Sequence, residues 1–147
     1  MAIASISKIK EEFSKKNYLF CGLKGNIGCA WKEASEVFGF NLEQCCPEGY
    51  EMEGVKAYQT IKEAIIGKDI ICTDSIPPSV VEIFDNCRVT KEAMDMANAG
   101  AILNPCPPFY RGEEVAVEAI ESNYFVGYEF KNALLTIQQA IIIYCLS

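Results

Sequence analysis

Residues 17–39, NYLFCGLKGNIGCAWKEASEVFG, contain the pattern that decides the fold. The first six residues, NYLFCG, form a short apolar run, which predicts a buried strand. The turn that follows contains Gly22, Gly25 and Gly28. A helix is then expected through Trp31 to Phe38, and Gly39 ends it, because glycine readily adopts the left-handed backbone of a helix C-cap. This stretch therefore predicts one strand–turn–helix unit.

The rest of the sequence repeats this alternation. Further strands are predicted at FNLEQCC, GVKAYQ, KDIICTD, GAILNP and NYFVGY. Further helices are predicted from Ile3 to Lys16, at TIKEAIIGK, from Thr90 to Asn98 with Thr90 as N-cap, at EEVAVEAIES and in the C-terminal segment. Apolar strands alternating with helices favour a mostly parallel sheet with helices on both faces, the Rossmann-like, doubly wound α/β class. We expect a single domain over residues 1–147, with ligands at the carboxyl ends of its strands.

Bulk composition excludes several classes of protein. The 147 residues are half apolar and carry a net charge of −7, so the chain has no basic footprint for nucleic acid or anionic lipid. The sequence contains no histidine, which excludes histidine acid–base chemistry. The first residues, MAIASISKIKEEF, turn charged too early for a signal peptide, and ALLTIQQAIIIYCL is too short to span a membrane. We therefore expect a cytoplasmic protein.

Eight cysteines would suggest a disulfide framework in a secreted chain. They lie instead inside apolar runs such as YLFCG and DIICTD, where cysteine is typical of a small buried side chain. The absence of CxxC and of histidine argues against a zinc site, so no metal is expected.

The first predicted strand-end loop, CGLKGNIGCA, spaces its glycines as GxxGxxG, a weak match to the dinucleotide fingerprint GxGxxG. The second strand also ends at Gln44 without the acidic residue that holds a ribose, and only Glu48 comes near. A nicotinamide-dependent oxidoreductase domain is thus a minor alternative. Asn26, at the helix start, has two interpretations, as a helix cap or as a donor to a ligand.

The second loop, TDSIPPS, places Asp74 directly after a very apolar strand. Its carboxylate is equally suited to hold the turn before Pro77 and to pair with a substrate ammonium group. The third loop, NPCPPFYRGEEV, surrounds Cys106 with prolines that rigidify the turn. Two interpretations are open for Cys106: it contacts a ligand, or it is a buried thiol without chemistry. No nearby group is expected to lower the pKa of this thiol, so a nucleophilic thiolate is not predicted.

These loops, in this order, resemble the second domain of the ornithine/aspartate carbamoyltransferase family. Gly22 to Asn26 fits the family's G-D-G-N-N, Pro47 to Glu51 reproduces P-E-G-Y-E, and Thr73-Asp74 matches T-D-x-W. The family's H-C-L-P-A-x-R-G-E-E-V matches Pro105 to Pro108 and then Arg111 to Val115. The resemblance implies an amino-acid-binding domain used in carbamoyl transfer from carbamoyl phosphate to an amino acid amine, as in arginine metabolism, without a cofactor.

The resemblance also implies roles for single residues. Asn26 matches an asparagine that contacts the amino acid head group, and Asp74 matches the aspartate that binds the substrate's amino group. Cys106 matches the cysteine beside carbamoyl phosphate and the ornithine side chain, and is the expected catalytic residue. Pro107 replaces a leucine whose backbone carbonyl faces the substrate, and proline keeps that carbonyl. The expected ligand is an ornithine-like amino acid.

Several family positions are replaced. Pro105 stands in place of the motif's histidine, the S-M-G motif after T-D-x-W is absent, and 130–134 contain no counterpart of an expected arginine. The phosphate-binding S-x-R-T motif of the family's first domain is also absent. We therefore expect the isolated chain to be inactive and to need a carbamoyl-phosphate domain. A non-catalytic ligand-binding or assembly module on the same fold is the main alternative, and a homo-oligomer is left open.

Overall fold

The computed structural model describes residues 11–128 and 133–147, and its centre is a five-stranded parallel sheet. The strands are β1 (Asn17–Cys21), β2 (Asn41–Cys45), β3 (Lys56–Tyr58), β4 (Ile70–Thr73) and β5 (Ile102–Pro105). Their order across the sheet is β3-β2-β1-β4-β5, and every strand pair is parallel. After β1 the chain adds β2 and then β3 on one side of the sheet, and it returns to add β4 and then β5 on the other side of β1. This reversal beside β1 is the point where doubly wound sheets bind ligands.

Besides the helical residues 11–14, two long helices and three single-turn helices accompany the sheet in the part of the chain that the structure describes. They are α1 (Asn26–Phe38), α2 (Ile61–Ala64), α3 (Lys91–Met94), α4 (Val117–Ile120) and α5 (Leu134–Leu146). Short 3-10 helices follow β4 at Pro78–Val80 and Asp85–Cys87. None of the helices in the described ranges is long and apolar enough to cross a membrane.

The central strands β1 and β4 are largely apolar on both sides because both faces of the sheet are packed. Leu19, Ile71 and Leu103 point to one face, where α2, α3 and α4 cover them in the larger core cluster. Phe20 and Cys72 point to the other face, where α1 covers them in a smaller cluster. The predicted doubly wound α/β class with helices on both faces is confirmed.

Two capping predictions are confirmed. Gly39 ends α1 with φ at 75°, in the left-handed region that the sequence assigned to it. The Thr90 hydroxyl accepts a hydrogen bond of 3.1 Å from the backbone N–H of Ala93, so Thr90 is the N-cap of α3. The predicted helix from Ile3 to Lys16 lies largely outside the described residues, and 11–14 are helical.

Two element predictions near the C-terminus are wrong. NYFVGY forms no strand and makes one bridge, between Phe125 and Leu103, before Gly127 turns the chain with φ at 72°. The helix predicted over EEVAVEAIES is reduced to α4, because Glu114 and Ala116 are held extended by backbone hydrogen bonds to Val89. Pairing with a distant segment overrides local helix propensity there.

The cysteine prediction is confirmed for five thiols. Cys21, Cys45, Cys46, Cys72 and Cys87 are buried and form no disulfide. Burial raises the pKa of Cys46 to about 12. Cys29 and Cys145 depart from the prediction, because both are exposed.

Candidate functional site

The loops after β1, β4 and β5 meet at the carboxyl edge of the sheet. The backbone N–H of Asp74 donates to the carbonyl of Cys21 at 3.4 Å, and that of Cys106 donates to the carbonyl of Thr73 at 3.1 Å. The Asp74 Cβ lies 3.5 Å from where a Cβ on Gly22 would stand. The three loops that the sequence singled out are therefore held side by side.

A cavity of about 380 Å³ opens between α1 and the ends of β4 and β5. Its lining is mostly apolar and is formed by Ile27, Ala30, Trp31, Ala34, Thr73, Asn104, Pro105, Cys106 and Pro107. The Thr73 side chain is fully buried, and its hydroxyl has no hydrogen-bond partner among the described residues. The cavity thus offers one unsatisfied hydroxyl within apolar walls.

Cys106 and Pro107 both line this cavity, as their place in the strand-end loop requires. The thiol of Cys106 is half-buried and lies 3.9 Å from the carbonyl oxygen of Pro107. The peptide bond between Pro107 and Pro108 is cis. The structure brings these two predicted residues together with Thr73, which the sequence did not single out.

Asp74 lies beside this cavity without lining it. Its neighbour Thr73 belongs to the first cavity, whereas Ser75 lines a second one of about 450 Å³ together with Tyr110 and Glu113. One Asp74 oxygen accepts a hydrogen bond of 2.9 Å from the Ser75 N–H, which supports the turn interpretation. Burial raises the pKa of Asp74, although this hydrogen bond opposes the shift. No cation pairs with Asp74 among the residues that the structure describes, so this half-buried carboxylate is suited to receive an ammonium group.

Asn26 is the first residue of α1 and is exposed. The helix-cap interpretation is wrong, because Gly25 occupies the N-cap position and no side chain caps α1. Asn26 does not line the first cavity, although the next residue, Ile27, does. The ligand-donor role of Asn26 stays a prediction.

Gln44 is a residue whose role the sequence analysis missed. Its fully buried amide donates to the carbonyls of Gly22, at 2.9 Å, and Tyr50, at 3.1 Å. Its oxygen accepts a hydrogen bond of 2.7 Å from the Met52 N–H. Gln44 therefore fastens the loop after β2 to the loop after β1. No sequence signal distinguished it, because β2 (NLEQC) also contains the polar residues Asn41 and Glu43.

Glu114 is a second missed residue. The sequence placed it in the first turn of a helix, but its side chain is fully buried. Its carboxylate accepts a hydrogen bond of 2.9 Å from the backbone N–H of Tyr110 and so holds the Cys106 loop. Burial raises the pKa of Glu114, and the charges of Glu113 and Asp74 add to the shift.

We expect Glu114→Gln to gain stability relative to the wild type as pH rises above the ordinary carboxyl pKa of 4.5. The folded wild type holds the Glu114 proton above the ordinary pKa of 4.5, so its stability falls as pH rises above that value. Glutamine keeps the acceptor for Tyr110 and removes the titration. Urea unfolding at several pH values measures the difference. The exposed Glu118→Gln is the control, and equal pH slopes for Glu114→Gln and the wild type would contradict the assignment.

Neither arginine of the sequence lines either of the two cavities described above. Arg88 pairs with Asp85 at 2.9 Å and donates to the carbonyl of Glu113 at 2.7 Å. Arg111 is exposed and approaches Glu121 at 3.8 Å. Across 11–128 and 133–147, no cluster of three or more acidic or cysteine side chains could hold a metal ion.

Comparison with known proteins gives a consistent result. Residues 14–145 match the family model for aspartate/ornithine carbamoyltransferase, Asp/Orn binding domain. An ornithine carbamoyltransferase from Chromobacterium violaceum is 30% identical over 149 aligned residues, which cover 89% of this chain and 48% of that protein. The chain spans about half the length of the relatives it matches.

Solved structures show the same fold. Ornithine carbamoyltransferase from Burkholderia thailandensis superposes with a TM-score of 0.79 at 25% identity, over 96% of this chain and 52% of that one. The enzyme from Thermus thermophilus superposes with a TM-score of 0.83 at 20% identity, over 99% of this chain and 54% of that one.

Proposed function

Because this chain belongs to the aspartate/ornithine carbamoyltransferase family, as a version of its Asp/Orn binding domain, we propose that it binds an ornithine-like amino acid and presents its amine for carbamoyl transfer. The observation that carries this proposal is the cavity walled by Cys106 and Pro107 beside Asp74, at the carboxyl edge of a doubly wound sheet. The relatives named above supply the reaction class.

The proposed roles follow from charge and position. The Asp74 carboxylate pairs with the α-ammonium group of the amino acid. This pairing stabilises the charged form of the carboxylate, which burial disfavours. Asn26 contacts the head group from the exposed start of α1. Pro107 offers its backbone carbonyl to the reacting amine, and Cys106 forms the wall beside that amine. The amine nitrogen then bonds to the carbamoyl carbon, the bond to phosphate breaks, and the nitrogen loses a proton.

The chain supplies little for the phosphate half of this reaction. A dianionic phosphate needs several converging donors, and neither arginine lines the first or the second cavity. We therefore propose that catalysis needs a carbamoyl-phosphate domain and that residues 1–147 act as one amino-acid-binding domain. The buried thiols without disulfides support a cytoplasmic location.

We expect L-ornithine to raise the melting temperature of the chain and NAD to leave it unchanged. A ligand that binds only the folded state stabilises it by about 2.7 kcal/mol at a hundred times its Kd. Thermal unfolding is measured with ornithine, aspartate, carbamoyl phosphate and NAD in parallel. Asp74→Asn should reduce the ornithine shift strongly, because it removes the counter-charge without changing side-chain volume.

The matched control is Asp85→Asn, which weakens the ion pair between the exposed Asp85 and the partly buried Arg88. It should keep the full ornithine shift. Stabilisation by NAD alone would refute the proposal. Turnover of ornithine and carbamoyl phosphate by the chain alone would contradict its expected inactivity.

A further inference from the structure

The second cavity, which follows Asp74 along the chain, has a lining that disfavours an anion. Its lining residues are Ser75, Ile76, Pro77, Pro78, Tyr110 and Glu113, and Glu113 alone among them carries a charge. The residues that line the first cavity carry no charge. Within the part of the chain that the structure describes, a ligand carboxylate between the two cavities would therefore meet the carboxylates of Asp74 and Glu113 and no cation from either lining.

The backbone around the second cavity has few N–H groups left for an anion. Its two prolines have no N–H. The Ser75 N–H already donates to the Asp74 carboxylate at 2.9 Å. The Tyr110 N–H donates to the Glu114 carboxylate at 2.9 Å, and the Glu113 N–H donates to the carbonyl of Tyr110 at 3.1 Å. Since a bound carboxylate requires converging donors or a cation, this cavity is a poor site for one.

A buried carboxylate lies directly behind this cavity. One oxygen of Glu114 accepts the hydrogen bond from Tyr110, which lines the cavity. The other oxygen, Oε2, is buried without a hydrogen-bond partner among the described residues. Burial raises the pKa of Glu114, and the charges of Glu113 and Asp74 raise it further. The three carboxylates therefore lie close enough to repel one another, and a positive charge beside them would relieve that repulsion.

No lysine or arginine in residues 11–128 or 133–147 forms an ion pair with Asp74, Glu113 or Glu114. Arg88 contacts Glu113 at the backbone, where its Nε donates to the carbonyl oxygen at 2.7 Å. The guanidinium of Arg88 pairs with Asp85 instead. The site around Asp74 therefore has an excess of negative charge that favours a cationic ligand.

We propose that the site around Asp74 prefers an aliphatic diamine, which carries no carboxylate, to ornithine. This inference rests on the proposed function, because it places one ammonium group at Asp74 and the second amine beside Cys106. 1,4-Diaminobutane is ornithine without its carboxylate and keeps the spacing of the two amines. In ornithine the carboxylate is bonded to the carbon that carries the ammonium group, so pairing with Asp74 brings this carboxylate close to acidic side chains that repel it.

Isothermal titration calorimetry of the whole chain with three ligands at low salt and neutral pH tests this preference. 1,4-Diaminobutane and ornithine methyl ester, whose ester removes the carboxylate charge, should each bind about ten-fold tighter than ornithine, because a like-charge contact is lost. Ornithine binding as tightly as either of them would overturn the inference and leave the amino-acid proposal intact. Binding of none of the three would refute the proposed function as well.

Two charge-removing variants locate the effect. Glu113→Gln should reduce the preference for the diamine about three-fold or more, because it removes the charge from the lining of the second cavity. Glu118→Gln, the same change at an exposed position, should keep the full preference. Asp74→Asn should weaken all three ligands, because they share the ammonium group that pairs with Asp74. A preference that Glu113→Gln leaves unchanged would overturn the role given to this cavity.

Discussion

Gln44→Glu should lower the free energy of unfolding by about 3–5 kcal/mol, since it leaves buried polar groups unsatisfied. The wild-type amide donates to the carbonyls of Gly22 and Tyr50, whereas a protonated carboxylic acid can donate to only one of them and a carboxylate to neither. The acceptor for the Met52 N–H is kept, so the loss comes from the donated bonds and from the new titratable group. Urea unfolding followed by circular dichroism measures the loss, which is a large fraction of a domain's stability.

The pH dependence of the stability of Gln44→Glu distinguishes the effect of the carboxylate's charge from the effect of the side chain's shape. A glutamate buried at this position holds its proton in the folded state, so the variant's stability should fall as pH rises above the ordinary carboxyl range. The control is Gln59→Glu, because Gln59 is exposed and its amide contact to Glu51 is long, at 3.5 Å. We expect a change within about 0.5 kcal/mol there. A similarly small loss for Gln44→Glu would refute the proposed role of this amide.

Gly28→Val should lower the free energy of unfolding by about 3 kcal/mol through overpacking. A Cβ at this position would stand 2.9 Å from the Met52 sulfur, 3.0 Å from the Phe20 ring and 3.3 Å from the Leu23 carbonyl oxygen. The methionine can move, but the Phe20 ring is fully buried and the carbonyl belongs to the backbone. The glycine therefore lets α1 approach β1 closely.

Helix propensity cannot explain such a loss, because valine is a better helix former than glycine, and Ala30→Val tests whether a valine in α1 is costly without the clash. Ala30 lies on the exposed side of the same helix, and valine there should cost well under 1 kcal/mol. Both variants are compared by chemical unfolding under one set of conditions. Equal losses of stability for the two variants would show that a valine at position 28 does not clash with the Phe20 ring.

Strands and long helices follow from local pattern. The apolar runs at 17–21 and 70–73 have few alternatives to buried strands, and Gly39 ends α1 because a positive φ favours glycine. The predictions of helices and strands fail where hydrogen bonds to a distant segment override the local preference of the backbone. Val89 holds 114–116 extended, and the bridge at Leu103 uses only one residue of NYFVGY.

The sequence likewise predicted only part of the candidate site. Its location follows from strand order, because parallel strands carry their loops to one edge, and Cys106, Pro107 and Asp74 were placed there on that ground. Which side chains line the cavity depends on how α1 packs across β4 and β5. That packing brings Thr73 into the cavity wall and leaves Asn26 outside it.

The sequence by itself therefore determined the α/β class, the family and the three loops that form the site, because these depend on residue periodicity and short motifs. Only the tertiary structure decided that Gln44 and Glu114 are buried supports of those loops, and that α5 has no buried residue. The reason is physical: whether a polar side chain is buried and hydrogen-bonded depends on groups far away in the chain. A local sequence pattern does not show which of those groups come close to it.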